Sequence, residues 1–112
     1  MSQKVTAGRD NLGELAPQFA ALNDDVLFGE VWAREAELSP RDRSLATVSA
    51  LIGAGILDGS LKAYLQKALD NGVTRSELVE VITQLGFYAG LAESLGGIPV
   101  IERNFGGGRV VL

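Results

Sequence analysis

The sequence contains no cysteine and no histidine among its 112 residues. Without cysteine there can be no disulfide, no thiolate metal site and no thiol redox chemistry. Without histidine the chain lacks the usual general base near neutral pH and the commonest metal ligand. Any acid–base step must therefore use aspartate, glutamate, tyrosine, lysine or water.

Positive charge is scarce and scattered, with ten Lys and Arg residues against 14 Asp and Glu residues and a net charge of −4. The absence of a basic patch argues against a nucleic-acid partner. The uncharged stretch between Arg43 and Asp58 is shorter than the roughly 20 residues that span a bilayer. No apolar segment follows Met1–Lys4, so the sequence predicts no signal peptide, no membrane association and a cytoplasmic location.

Proline occurs only three times, and no alternating strand pattern is sustained. The sequence therefore predicts a single all-α domain over residues 1–112 with about six or seven helices. We expect a polar lead-in at residues 1–8 and a flexible tail at residues 106–112. Hydrophobic residues make up 46% of the chain, and this surplus in a small helical protein predicts a symmetric homo-oligomer.

The segment Ser39–Gly55 is predicted to form a buried central helix. Ser39 can cap the helix, Pro40 suits its first position, and charges are confined to the first turn. Small residues should allow neighbouring helices to approach closely at Ala46, Ala50, Gly53 and Ala54. The charged first turn is expected to open toward a pocket or an interface.

Shorter patterns define the other helices. Before the central helix, we expect a helix up to Leu15, a second from Pro17, a turn or cap at residues 23–25, a short helix near Val26–Trp32 and a polar connection at Arg34–Leu38. After it, we expect a helix that ends at Asn71-Gly72, one that opens with the capping box of Thr74 and Glu77, and a last helix around Leu91–Leu95.

Four segments, taken in order, resemble the carboxymuconolactone decarboxylase family, which includes alkyl hydroperoxidase D-like proteins. The resemblance covers roughly Val26–Leu95. The four segments are Phe28-Gly29-Glu30-Val31-Trp32 with Arg34, Leu38-Ser39-Pro40-Arg41-Asp42-Arg43-Ser44-Leu45, Ala68-Leu69-Asp70-Asn71-Gly72-Val73-Thr74-Arg75-Ser76-Glu77-Leu78, and Glu80-Val81-Ile82 with Phe87-Tyr88-Ala89-Gly90.

The resemblance implies an all-helical alkyl hydroperoxidase D-like fold and an obligate oligomer, a trimer or a hexamer of intertwined dimers. It also implies one of two chemistries. One is a thiol peroxidase that uses Cys-x-x-Cys, but the matching positions here are Leu57 and Ser60, so peroxidase activity is not expected. The other is a cofactor-free decarboxylase that acts on a lactone dicarboxylate.

Two positions where the family commonly has histidine hold other residues here, and they become the candidate catalytic residues. Tyr64 is either a core tyrosine or a proton donor, since a phenol titrates near pH ~10 and donates more readily than it accepts. Gln84 is either a surface residue or an amide that orients a ligand carbonyl or carboxylate.

The candidate substrate-binding residues are Arg34, Arg41, Arg43 and Asp58. Cations at a helix N-terminus need a compensating anion, which could be Glu35 or Glu37, a partner subunit or a substrate carboxylate. Asp58 could instead simply cap the next helix. The leading hypothesis is a cofactor-free lyase for a small anionic lactone or carbonyl compound. The alternative is a scaffold without catalysis that binds a ligand or another subunit.

Overall fold

The computed structural model describes residues 4–105, so the predicted tail at residues 106–112 lies outside the described residues. Its internal contacts divide the chain into two units, Met1–Ser39 and Pro40–Leu112. Within the described residues there are six α-helices, one π-helical segment and no strand. The predicted all-α class is thereby confirmed. The single domain over residues 1–112 stays a prediction, because a division by contacts does not measure independent folding.

The first unit contains α1 (Ala7–Leu12), α2 (Pro17–Ala21) and a π-helical segment (Leu22–Val31) that continues from α2. The second helix begins at Pro17 as predicted. The turn predicted at residues 23–25 is wrong, because these residues lie inside the π-helical segment. The expected lead-in at residues 1–8 overlaps α1, which begins at Ala7.

Asp24 anchors α1 to the π-helical segment. Its side chain is fully buried and accepts hydrogen bonds from the backbone N–H groups of Gly8 (2.8 Å) and Arg9 (3.0 Å). A Cβ atom at Gly8 would lie 2.7 Å from Asp24 Oδ1, so the glycine permits this close approach. Burial opposes ionisation of Asp24, but the hydrogen bonds and the Arg9 charge outweigh it and lower its pKa. Asp24 therefore caps α1 from a distant position in sequence.

The second unit contains α3 (Pro40–Gly53), α4 (Gly59–Asp70), α5 (Arg75–Leu85) and α6 (Leu91–Phe105). Helix α3 packs against each of the other three, and α6 also packs against α4 and α5. Their buried side chains form one apolar core. It contains Val48, Ile52, Leu61, Leu65, Ala68, Val73, Leu78, Ile82, Val100 and Ile101.

The predicted central helix corresponds to α3, but it is buried on one face only. Ser44, Val48 and Ile52 face the core, whereas Ala46, Ala50, Gly53 and Ala54 are exposed. Helix α3 is therefore central in its unit, but the prediction that it is buried is wrong for the face that carries its small residues. The three helices packed on α3 cover its other face and leave Ala46, Ala50 and Ala54 exposed, although a Cβ atom at Gly53 would lie 3.7 Å from Ala89 Cβ.

The ends of α4 and α5 follow the predicted signals. Gly72 adopts a left-handed conformation (φ +97°) after Asn71, which is the conformation that the Asn-Gly pair predicts. The capping box is formed in both directions. Glu77 N–H donates to Thr74 Oγ1 (3.1 Å), and Thr74 N–H donates to Glu77 Oε1 (3.0 Å).

Helix α6 is longer than the sequence predicts. It was expected to end near Leu95, but it continues through Gly96, Gly97 and Pro99 to Phe105. These residues are poor helix formers. The helix persists because its far half buries Val100 and Ile101 in the core. At Gly97 a Cβ atom would lie 3.4 Å from the Cδ1 atoms of both Ile52 and Ile82.

Gly97 should therefore tolerate a methyl group but not a branched side chain. Gly97→Ala would make ordinary contacts and gain helix propensity, so we expect unfolding free energy within about 1 kcal/mol of the original chain. Gly97→Leu would push into Ile52 and Ile82, and we expect a loss of about 1–3 kcal/mol from overpacking. Urea denaturation measures both, and equal stability of the two variants would contradict this close packing.

Candidate active site

The charged first turn of α3 is joined to the start of α5 by an ion pair. Arg41 Nη2 donates to Glu77 Oε2, and Arg41 Nη1 lies 3.5 Å from Asp42 Oδ1. Glu77 thus has two roles, since its other carboxylate oxygen completes the capping box of α5. The main anion that compensates Arg41 is Glu77, which was not among the candidates proposed from the sequence, and Asp42 adds a weaker contact.

This ion pair shifts the pKa values of both partners. The hydrogen bond and charge of Glu77 raise the pKa of Arg41. The Thr74 backbone N–H, followed by the hydrogen bond from Arg41, lowers the pKa of Glu77. Both groups are partly exposed to solvent, which screens the attraction. Arg41 is therefore held as a structural cation whose charge is already compensated within the chain.

Behind this pair, a short chain of hydrogen bonds links α3 to the end of α4. Asn71 Nδ2 donates to Ser44 Oγ (2.9 Å), and Ser44 Oγ donates to the Pro40 carbonyl (2.7 Å). Ser44 is buried, so its satisfied hydroxyl fixes the start of α3 against Asn71. Arg43 is half-buried in the same turn region, and its carbonyl accepts from Thr47 Oγ1.

Tyr64 lies midway along α4 and packs against the apolar core while remaining half-buried. Desolvation by burial raises the pKa of its hydroxyl. A phenol with a raised pKa stays protonated at neutral pH and can donate a hydrogen bond. Both the core interpretation and the donor interpretation from the sequence are compatible with this position.

Gln84 lies on α5 and is exposed. Its backbone carbonyl accepts from the Phe87 N–H at the end of the helix (3.2 Å). The exposed position of Gln84 in the chain therefore agrees with its interpretation as a surface residue. Arg34 belongs to the first unit, where it is exposed and its carbonyl accepts from the Leu38 N–H (3.2 Å).

Asp58 caps α4, as one of the two alternatives predicts. It is the N-cap residue, and its Oδ1 accepts from the Ser60 backbone N–H (2.9 Å). The residue also borders a cleft of about 290 Å³ between the start of α4 and the far end of α6, which we call the α4–α6 cleft. The cleft is lined by Leu57, Asp58, Gly59, Lys62, Val100, Arg103 and Asn104.

The α4–α6 cleft includes two cations that the sequence did not single out, Lys62 and Arg103. Lys62 could have been noticed, because it follows Asp58 by four residues at the start of a helix. Arg103 carried no signal, because α6 was expected to end before it. Of the six predicted site residues, only Asp58 lines this cleft, so the structure does not gather the other five there.

A second cleft, of about 320 Å³, lies beside the Arg41–Glu77 pair and is lined by Leu45, Ser76, Glu77, Glu80 and Val81. Its charged lining residues are both carboxylates, so it does not favour an anionic ligand. Within residues 4–105, no three acidic side chains come together in a way that could hold a metal ion.

Comparison with known proteins relates this helical chain to a family. The model of the carboxymuconolactone decarboxylase family matches residues 17–102, from the start of α2 into α6. The chain belongs to the carboxymuconolactone decarboxylase family. A relative from Acinetobacter baylyi, named 4-carboxymuconolactone decarboxylase, is 34% identical over 101 residues, which cover 90% of this chain and 74% of the relative.

The carboxymuconolactone decarboxylase resemblance read from four sequence segments is thus confirmed. This family member has no cysteine or histidine anywhere in its 112 residues. Its candidate site residues Tyr64, Gln84, Arg34, Arg41, Arg43 and Asp58 remain predictions. No helix among residues 4–105 is both long enough and apolar enough to cross a membrane.

The Arg41–Glu77 pair should stabilise the fold in a way that depends on salt and pH. In Glu77→Gln the amide can still complete the capping box, so this variant removes mainly the ion pair. We expect its melting temperature at pH 7 and low salt to fall by a few degrees, and 1 M NaCl should shrink the difference by screening. Thermal unfolding by circular dichroism measures both values.

The pH dependence has a defined direction. Because folding lowers the pKa of Glu77, its stabilisation is complete above the unfolded value of about 4.3 and is lost as the pH falls through the folded value. The control is Glu80→Gln, which removes the same charge from an exposed position on α5. An equal loss of stability in both variants would show that the specific pair contributes nothing.

Proposed function

We propose that this protein is a cofactor-free, lyase-like enzyme that acts on a small anionic lactone or carbonyl compound. The observation that carries the proposal is the 34% identity, over 90% of the chain, to a relative named 4-carboxymuconolactone decarboxylase. The family match over residues 17–102 supports the same class of activity. The substrate class goes beyond family membership and is part of the proposal.

The proposed reaction needs two kinds of group. In a decarboxylation, the bond between a carbon atom and its carboxylate breaks, carbon dioxide leaves, and the electron pair passes into an enolate that later takes a proton. A hydrogen-bond donor aimed at the developing enolate oxygen stabilises that charge. The substrate's other anionic groups must be held by cations, for which the planar guanidinium group is suited.

We assign the donor role to Tyr64, supported by its half-buried hydroxyl and its raised pKa. Arg34, Arg41 and Arg43 are proposed to contact the substrate, and Gln84 to orient a carbonyl or carboxylate. Among the arginines, Arg41 already compensates Glu77. Its contribution would therefore require an exchange of partners.

A second candidate function is a family scaffold that has lost catalysis and binds a ligand or another subunit. The absence of histidine from all 112 residues favours it, because no side chain then titrates near neutral pH without a perturbed pKa. Thiol peroxidase activity has no chemical basis in this sequence, since the attacking species would be a cysteine thiolate.

The enzyme hypothesis predicts a specific loss of activity on removal of one hydroxyl. With 4-carboxymuconolactone as substrate, carbon dioxide release should fall by about 10²-fold in Tyr64→Phe, the loss that general acid catalysis typically accounts for. The matched control is Tyr88→Phe, which removes the other tyrosine hydroxyl from a side chain that is 81% exposed on the isolated chain and keeps the apolar ring, so it should leave the rate unchanged.

The result separates the two candidate functions. Unchanged turnover in Tyr64→Phe and in Arg43→Ala would remove the proposed site while leaving the enzyme hypothesis open. No carbon dioxide release by the original chain, with its fold intact by circular dichroism, would instead favour the scaffold without catalysis.

We also propose that the protein forms a homo-oligomer, either a trimer or a hexamer of intertwined dimers. In the isolated chain, α5, α6 and the turn between them expose several large apolar side chains. They are Val79, Phe87, Tyr88, Leu91 and Leu95. An apolar patch of this kind is typical of an interaction surface.

The oligomer hypothesis predicts a mass well above that of one chain. Light scattering at micromolar concentration should give three or six times 11.8 kDa, and Leu91→Glu should lower the mass by placing a charge in the patch. Leu15→Glu is the control, because Leu15 is 87% exposed in the other unit. A mass of one chain for the original protein would refute the oligomer.

A further inference from the structure

The α4–α6 cleft places two cations beside a cavity in a chain that is acidic overall. Lys62 lies on the first turns of α4, and Arg103 lies near the end of α6. The net charge of the chain is −4, yet Lys62, Arg103 and Asp58 give the lining of this cleft a formal charge of +1. Two cations that converge on a cavity create a local attraction for an anion.

In the described part of the chain, neither cation of the cleft forms an ion pair. By contrast, Arg9, Arg41 and Arg75 each bind a carboxylate elsewhere in the chain. Arg103 uses only its Nε, which donates to the Pro99 carbonyl at 3.4 Å, so its two terminal nitrogen atoms point to no acceptor among residues 4–105.

The nearest carboxylate does not neutralise these cations. Asp58 is four residues before Lys62 on the same helix, a spacing at which an ion pair is common, but no such pair is formed. Instead Asp58 Oδ1 accepts from the Ser60 N–H and caps α4. Asp58 is thereby held at the wall of the cleft, where its second oxygen can accept a hydrogen bond from a ligand.

We propose that the α4–α6 cleft binds the carboxylate of a small hydroxy or lactone-derived acid through Lys62 and Arg103. The guanidinium fork of Arg103 matches a carboxylate in two parallel hydrogen bonds, and Lys62 adds a point charge. Asp58 and the amide oxygen of Asn104 accept hydrogen bonds from a hydroxyl group of the same molecule. Asn104 is positioned for this, because its Nδ2 already donates to the Val100 carbonyl.

Charge and volume restrict the ligand further. A single negative charge matches the formal charge of +1, whereas a phosphate dianion would be poorly compensated beside Asp58. The volume of about 290 Å³ lies just below the usual range for ligand sites, about 300–1,000 Å³. The site therefore suits a compact monocarboxylate or one end of a dicarboxylate.

The inference that the cleft binds a carboxylate does not depend on turnover. The inference that this carboxylate belongs to the substrate rests on the proposed function. It places a carboxylate at Lys62 and Arg103, as an alternative to the contacts proposed for Arg34, Arg41 and Arg43, and it is favoured over Arg41 because Glu77 already compensates the charge of that residue. Binding and turnover can be tested separately.

The binding test uses 4-hydroxybutyrate, the ring-opened form of a simple γ-lactone, as the probe. Titration followed by ¹H–¹⁵N spectra should shift the backbone amides of Gly59, Lys62 and Asn104. The uncharged γ-butyrolactone should shift them little at the same concentration. In Arg103→Gln and in Lys62→Gln we expect the dissociation constant to rise at least about fivefold, since each removes one of two contacts to the carboxylate.

The control variant is Lys4→Gln, which removes the same charge from an exposed position in the other unit. It should leave the dissociation constant unchanged. Lys62 and Arg103 are both exposed, so their variants should keep the melting temperature of the original chain. An unchanged dissociation constant in both cleft variants, or shifts confined to residues outside the cleft, would overturn the inference.

Turnover distinguishes this inference from the proposed function. If the chain decarboxylates its substrate in this cleft, Arg103→Gln should raise KM with little change in kcat, and Tyr64→Phe should leave kcat unchanged, because Tyr64 does not line the cleft. If the chain has no turnover but 4-hydroxybutyrate binding depends on Arg103 and Lys62, the binding site is supported and the enzyme hypothesis fails. If turnover is present and Arg103→Gln leaves KM unchanged, the cleft does not hold the substrate.

Discussion

The close packing of α6 at two adjacent glycines is the constraint on which the second unit depends. A Cβ atom at Gly96 would lie 2.3 Å from Leu57 Cδ1, and Gly97 rests against Ile52 and Ile82. The helix can therefore lie against α3, α5 and the residues before α4 at once. This packing buries Val100 and Ile101 in the core and carries Arg103 to the start of α4. A side chain larger than a methyl group at Gly97, or any side chain at Gly96 without a shift of Leu57, would force these elements apart.

The charged groups at the start of α3 and those at the start of α4 serve different purposes. At the start of α3, Arg41 and Glu77 satisfy each other and fasten α3 to α5, so the charges there maintain the fold. At the start of α4, Asp58 satisfies a backbone donor and leaves Lys62 and Arg103 without a carboxylate partner among residues 4–105. Because a charge that is already compensated attracts a ligand weakly, the cleft at α4 is the better place for an anionic compound.

Most local signals in the sequence predicted the structure correctly, apart from the turn expected at residues 23–25, whereas long-range relations were not predicted. The capping box of Thr74 and Glu77, the left-handed Gly72 and the start of α3 at Pro40 each depend on a few neighbouring residues. The length of α6, the partner of Arg41 and the convergence of Lys62 with Arg103 depend on tertiary packing, which overrides local propensity. The same limit explains why the family was recognised from ordered motifs while its site residues stayed predictions. A sequence motif predicts local backbone geometry, whereas a functional site requires side chains from different parts of the chain to lie close together.

The buried carboxylate of Asp24 makes the first unit sensitive to where the chain starts. Three of the four donors that satisfy it come from the backbone of Gly8 and Arg9 and from the Arg9 side chain, and the fourth is Asn23 Nδ2. A shortened protein that began at Asp10 would keep Asp24 and Asn23 and lose the other three donors. The carboxylate, left with Asn23 alone, would then have to reach water or take up a proton, and either change would loosen the π-helical segment around it. Trimming the first nine residues would thus remove the first half of α1 together with the support of a helix that begins thirteen positions later.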